Sequence, residues 1–132
     1  MAIQYVLAER THLDGIIKLF EDEGWSAYAE DPEATWRALT APGVVSLVAV
    51  KEDAVVGIVQ MLSDGVIQAF MPVLIVSPEC RRQGVGRRLI EEAFARSGAQ
   101  RVDLSTDHEA ADFYRTFKHH ELMSFRLFLG AR

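Results

Sequence analysis

The segment from Val73 to Glu92 constrains this chain more than any other. Val73-Leu74-Ile75-Val76 has strand character, Ser77-Pro78-Glu79-Cys80-Arg81-Arg82-Gln83 turns, and Gly84-Val85-Gly86-Arg87-Arg88 opens a helix. Val85, Leu89, Ile90, Ala93 and Phe94 recur at helical spacing, which predicts a helix from near Gly84 to Ser97 with Gly98 as a left-handed cap. Four arginines, Arg81, Arg82, Arg87 and Arg88, crowd its first turn, where the helix dipole and unpaired N–H groups prefer negative charge. They repel that terminus unless an anion sits there. Gly84 and Gly86 let the backbone approach a phosphate closely, and guanidinium groups pair with its outer oxygens.

Composition narrows the setting. At 132 residues the chain is expected to form one domain over 1–132, large enough for a real core. No apolar run is long enough to span a bilayer. The start Met1-Ala2-Ile3-Gln4-Tyr5 lacks the basic and apolar regions of a signal peptide, so a cytoplasmic protein with no membrane partner is expected. A net charge of −5 argues against general nucleic-acid binding. Because basic charge is local and acidic charge global, the ligand anion should be small and a partner cationic. The single Cys80 supports neither a disulfide framework nor a structural zinc site, and it reads as filling the turn rather than as a reactive thiol. His108, His119 and His120 with Asp107 lack a fixed ligand spacing, so no metal is expected.

In chain order, Ile3 to Ala8 reads as a strand. Thr11 with Asp14 resembles an N-cap, and Leu13, Ile16, Ile17 and Phe20 form a helical stripe that ends at Glu21-Asp22-Glu23-Gly24-Trp25. Asp31 and Pro32 start a second helix, which Ala41-Pro42-Gly43 stops. Three strands follow as a meander, Val44 to Val50, Ala54 to Leu62 and Val66 to Val76. The third is nearly all apolar from Ala69 and is read as central; Pro72 inside it requires a bulge that opens the sheet beside the arginine-rich turn. Arg101 to Ser105 is a short strand. Ala110, Phe113, Tyr114 and Phe117 share one helix face, and Glu121 to Leu129 reads as a last strand. The acidic group Glu21, Asp22, Glu23, Glu30, Asp31 and Glu33 is either ordinary surface or an acidic mouth for a cationic amine, with Trp25 and Tyr28 as walls.

These residues resemble the GNAT superfamily of acetyl-CoA-dependent N-acetyltransferases. Arg81, Gly84 and Gly86 match its pattern at a strand-to-helix turn, preceded by Val76-Ser77-Pro78-Glu79, and Ala110-Ala111-Asp112-Phe113-Tyr114 lies one strand further on. The similarity covers Val66 to Phe117. It implies an α/β fold with a mixed, mostly antiparallel sheet of about six strands, a bulged and splayed central strand, and about four flanking helices.

The resemblance also implies roles. The backbone of Gln83, Gly84, Val85, Gly86 and Arg87 would cradle the coenzyme A pyrophosphate, with Arg81 and Arg82 available to its charge. Leu74, Ile75 and Val76 would pair with the pantetheine arm. Asp107 stands where many relatives place an asparagine near that arm. Tyr114 stands where the family often has the acid that protonates the departing thiolate. Relatives use a glutamate base on the central strand, but Phe70 occupies that position. Gln68, Glu21, Glu23 or His108 ordering a water, or an amine arriving deprotonated, remain as alternatives. Lys118-His119 replaces the usual Gly-Phe, and the acceptor side is shortened, an edge that invites completion by a homodimer. The implied activity is acetyl transfer from acetyl-CoA to an amine of a small molecule or peptide by direct attack in a ternary complex. The competing reading is a coenzyme-A-binding sensor without turnover. A phosphate loop for ATP fits poorly, because no Gly-Lys-Ser or Gly-Lys-Thr follows the glycines.

Overall fold

The computed structural model describes residues 2–130. The sheet contains β1 (Gln4–Leu7), β2 (Val44–Lys51), β3 (Ala54–Ser63), β4 (Gln68–Val76) and β5 (Arg101–Asp103), side by side in that order. The first three pairings are antiparallel and only β4–β5 is parallel. Alternation along β2 explains the two-layered packing. Leu47 and Ala49 face one side, where they meet Val85, Leu89, Ile90 and Ala93 of α4 (Val85–Ser97). Val48 faces the other, where it meets Ile16, Leu19 and Phe20 of α1 (Leu13–Glu23) and Leu39 of α3 (Pro32–Leu39).

The predicted bulge at Pro72 is present. Gln60 opposes Val73 while Leu62 opposes Phe70, so β4 carries one residue more than β3 across that interval. Its consequence is a change of face. Ala69 and Met71 pack with α4, whereas Val73 and Ile75 pack with α1 and α3. Beyond Phe70, β4 has no further ladder with β5, which pairs only through Arg101–Asp103. The bulged strand is therefore splayed, as expected, although it lies fourth of the five and β3 holds the middle of the sheet.

Several ends form as the sequence predicts. Gly24 and Gly98 take left-handed conformations after α1 and α4, at φ 76° and 75°. Asp31 caps α3, accepting from the Ala34 N–H at 3.1 Å. Others differ. Thr11 is not the cap of α1; it lies within a 3₁₀ turn, Arg10–His12, in which the Glu9 N–H donates to His12 Nδ1 at 3.0 Å. A short α2 (Ser26–Ala29) raises the helix count to five, with α5 (His108–Arg115) the last. The expected strand from Glu121 to Leu129 is not one among the described residues, which leaves five strands rather than six. A strand needs a neighbour to satisfy its backbone, and this segment has none.

Candidate donor site

The site begins where β4 ends. Ser77 N–H donates to Val56 O at 2.8 Å, pinning the strand exit, and Pro78–Cys80 makes a 3₁₀ turn with Cys80 buried in the core, as the turn-filling reading requires. Arg82 and Gly84 then take left-handed backbone conformations at φ 61° and 80°. For glycine this costs little; for arginine it is a strained conformation that the surrounding turn must hold. Val85 and Leu89 anchor the helix in the core, 2% and 0% exposed.

The first helical bond is from Arg88 N–H to Gly84 O at 3.0 Å. Among the described residues, the six N–H groups from Arg82 to Arg87 donate to no protein acceptor, and Gly84 supplies no side-chain cap. Six consecutive free donors at the positive end of a helix are an arrangement that suits an anion. Gly86 has a different function from Gly84. A Cβ there would lie 3.3 Å from Phe113 Cζ and 3.7 Å from both Leu74 and Val76, so the missing side chain lets α4, β4 and α5 close together.

The arginines divide differently from the sequence expectation. Arg81 donates through Nε to Val76 O at 2.9 Å and pairs with Glu23 at 2.5 Å, joining the turn to the end of α1. Arg87 donates to Thr116 Oγ1 at 2.8 Å and lies 3.8 Å over the Phe117 ring. Arg88 pairs with Glu92 one turn along at 2.9 Å and stands 4.9 Å over Tyr5. Three of the four thus have intramolecular partners, and the carboxylates on Arg81 and Arg88 relieve part of the mutual repulsion without a ligand. Arg82 has none among the described residues and is exposed. The Arg88–Glu92 spacing was readable in the sequence; the Glu23 and Thr116 partners, far along the chain, gave no local signal.

Leu74 and Val76 are half-buried beside Phe113, while Ile75 points to the opposite core. Asp107 is placed as the N-cap of α5, accepting from Ala110 N–H at 3.0 Å, so its carboxylate already has a structural partner. Tyr114, on the next turn, packs edge-on against Phe113 at 4.9 Å between centroids. Its hydroxyl has no protein partner among the described residues. Burial, reinforced by the Asp107 charge, pushes its pKa up to about 12, so the phenol keeps its proton across the neutral range.

The candidate bases are scattered. Gln68 Oε1 accepts from Arg101 Nε at 2.5 Å, and Glu23 is held by Arg81. His108 is exposed at the start of α5. Glu21 lines a shallow open depression with Gly24, Ser26, Ala29 and Glu30. Trp25 and Tyr28 pack with Phe20 instead of walling that depression, Tyr28 stacking on Phe20 at 4.6 Å. Phe70 is half-exposed on β4 at the end of the β4–β5 ladder.

A splayed β4, a helix N-terminus of free donors and an aromatic α5 beside them define an acyltransferase of the GNAT type. The chain belongs to the GNAT acetyltransferase family: the family's acetyltransferase domain matches residues 42–118, more than half of the chain. Acetyl-CoA is the acyl donor that membership implies. Among solved structures, a GNAT-family acetyltransferase from Streptococcus pneumoniae is 28% identical, with 99% of this chain and 100% of its own covered at a TM-score of 0.79. A Deinococcus radiodurans protein classed as an acetyltransferase is 31% identical over 94% of this chain and 87% of its own, at a TM-score of 0.74. An aminoglycoside N-acetyltransferase solved with CoA shares the fold at 18% identity and a TM-score of 0.77, with 98% and 96% of the two chains covered. No curated protein matches the chain. Among the described residues no helix is long and apolar enough to cross a membrane.

Proposed function

We propose that this protein, acting as one domain over 1–132, moves an acetyl group from acetyl-CoA to an amine by direct attack in a ternary complex. The observation that carries this reading is the row of six unpartnered N–H groups from Arg82 to Arg87 at the end of the splayed strand. Their donors suit a pyrophosphate, with the Arg82 side chain free to add one charge-assisted contact. The open edge of β4 at Leu74, Ile75 and Val76 suits an extended amide-bearing arm, which binds there by strand-like hydrogen bonds.

The thioester supplies an electrophilic carbonyl. An uncharged amine nitrogen forms the new C–N bond, the carbonyl oxygen carries negative charge in transit, and the C–S bond then breaks to release the thiolate. Backbone N–H groups freed by the β4 bulge support the oxygen. Tyr114 keeps its proton at neutral pH and faces no protein acceptor, so it can give that proton to the sulfur. The proton lost from the amine goes to water, with Glu21 and His108 the candidate carboxylate and imidazole that have no protein partner among the described residues. The Glu21–Glu30 depression favours a cationic amine, a small molecule or a peptide end, by charge complementarity. An aminoglycoside acetyltransferase among the structural neighbours is in keeping with such an acceptor.

The test is thiol release from acetyl-CoA across an amine panel. Amine-dependent release is expected. Tight coenzyme A binding without release on any amine would leave the chain as a coenzyme-A-binding module, and no binding at all would remove both readings.

A further inference from the structure

Beside the bulge of β4 lies a groove that the reaction described above does not use. The strand register sets its floor: Val44, Leu62 and Phe70 stand opposite one another across β2, β3 and β4, in one row on the α3 side of the sheet. Ala41-Pro42-Gly43 forms a wall, and the open space is about 500 Å³, a volume that suits a small organic ligand. Leu62 and Phe70 remain 40% and 42% exposed there.

The polar side chains around the groove are already engaged. The Asp64 carboxylate accepts from the N–H groups of Val66, Ile67 and Gln68. Ser63 Oγ donates to Ser97 O at 2.8 Å, and the Gln68 amide is held by Arg101 Nε and Ala69 O. What remains for a ligand is apolar surface. The next row inward differs. Ser46, Gln60 and Val73 stand side by side, and Val73 is the first paired residue beyond the bulge. Gln60 is 4% exposed, and its Nε2 donates to Ala38 O of α3 at 3.2 Å, which fixes the end of the amide that is nitrogen. Its Oε1 is buried with no hydrogen-bond partner among the described residues. A buried acceptor without a donor is an unfavourable arrangement, which an N–H of a ligand relieves.

We propose that the acceptor is an amine with an apolar body, seated in this groove with its nitrogen at Gln60. One N–H donates to Gln60 Oε1, and the body lies along Phe70 and Leu62 toward Pro42. Because Oε1 is closed to water in the free protein, the amine reaches it by displacing the exposed Leu62 and Phe70 side chains. The amide oxygen holds a hydrogen of the uncharged nitrogen and leaves its lone pair for the thioester carbonyl at the bulge. Gln60 is thus a positioning residue for the nucleophile. The Glu21–Glu30 depression lies at the other end of β4, by the Arg81–Glu23 pair, where its charge draws ammonium ions toward the protein. The lone-pair step rests on the acetyltransferase reading; the amine seat itself is read without turnover.

Two measurements test the assignment. Titration of hexylamine into the protein with coenzyme A present should shift the methyl resonances of Val44 and Leu62 and leave that of Ala29 still. Shifts confined to Ala29, or no shifts, overturn the proposal. In the thiol-release assay, kcat/KM for hexylamine should exceed that for ethylamine by about 10- to 200-fold, the discrimination a few buried methylenes give. Phe70→Ser should shrink that ratio by raising KM for hexylamine. Gln60→Leu should lower kcat on both amines with KM for acetyl-CoA held; if that variant fails to fold, Phe70→Ser and the titration decide. Equal efficiency on the two amines, or release on spermidine and not on hexylamine, overturns the proposal and leaves an acetyltransferase. Release on no amine removes the acetyltransferase reading, and the methyl shifts then decide whether the groove seats an amine.

Discussion

Helices α4 and α5 both carry an apolar stripe at helical spacing, yet α4 buries five residues and α5 buries none. The difference lies in what each stripe meets. Leu89 and Ala93 of α4 lie against the side chains of β2, β3 and β4, while Phe113 and Tyr114 of α5, with Phe117 just beyond it, meet the first turn of α4, the end of β4 and one another. The α4 end of the candidate site is thus buried in the core of the chain, while the α5 end has its aromatic groups only half-covered.

Truncation tests this contrast most severely. Leu89→Ala, at a position with 0% exposure, should cost about 2–5 kcal/mol in urea or thermal unfolding. Phe113→Ala removes a larger side chain but from a half-buried position, so a clearly smaller loss is expected; an equal loss would erase the distinction between the two helices. Next in size is Tyr114→Phe, which should lower turnover by roughly 10²-fold, the bottom of the range for a general acid, because a thiolate needs little help to leave. Coenzyme affinity measured by calorimetry should stay put. Unchanged turnover would return Tyr114 to the status of a packing aromatic.

The same tyrosine sharpens the comparison through pH. Its folded pKa of about 12 lies above the unfolded value of 10, so its contribution to stability is complete below pH 10 and is lost as pH rises toward 12. The full effect is about 2–3 kcal/mol, and Tyr114→Phe should flatten the alkaline limb of urea unfolding by up to that amount. The smallest effects are expected at the turn. Arg82→Ala should weaken coenzyme A binding about tenfold, the loss of one charge-assisted contact, with the melting temperature unchanged. Arg81→Ala should act in the opposite way, loosening the turn from Glu23 and Val76 with less effect on the phosphate contact. If the two variants behave alike, the division of labour among the arginines is wrong.

Much of the donor side was legible because its signals are local. A proline inside an apolar run demands a bulge, and glycines two residues apart at a strand-to-helix turn demand close approach. Gly24 and Gly98 mark helix ends, since left-handed backbone conformations suit few other residues. The partners of Arg81 and Arg87 were not legible, because Glu23 and Thr116 come from distant elements and pairing depends on how those elements dock. Misplaced charge singled out the turn, but two of the four guanidinium groups are paired with carboxylates of the chain itself, and the free backbone donors carry the anion argument instead. Thr11 failed as a cap because Glu9 and His12 closed a 3₁₀ turn around it. Strand propensity in 121–129 was real, yet propensity does not supply a hydrogen-bonding neighbour.

The bulge at Pro72 also gives β4 two reading frames. Upstream of it odd-numbered side chains look toward α4, and downstream they look away, so one inserted residue sets the phase for both halves. Closing the bulge with Pro72 kept would make the alternation continuous and turn every upstream side chain over, taking Ala69 and Met71 away from α4, whereas deleting Pro72 would restore regular pairing with every side chain on its present face. The half of β4 proposed to pair with the acyl donor can keep its phase from Val73 to Val76 while substitutions before the bulge alter only the other half. In this chain a single extra residue uncouples the two halves of one strand.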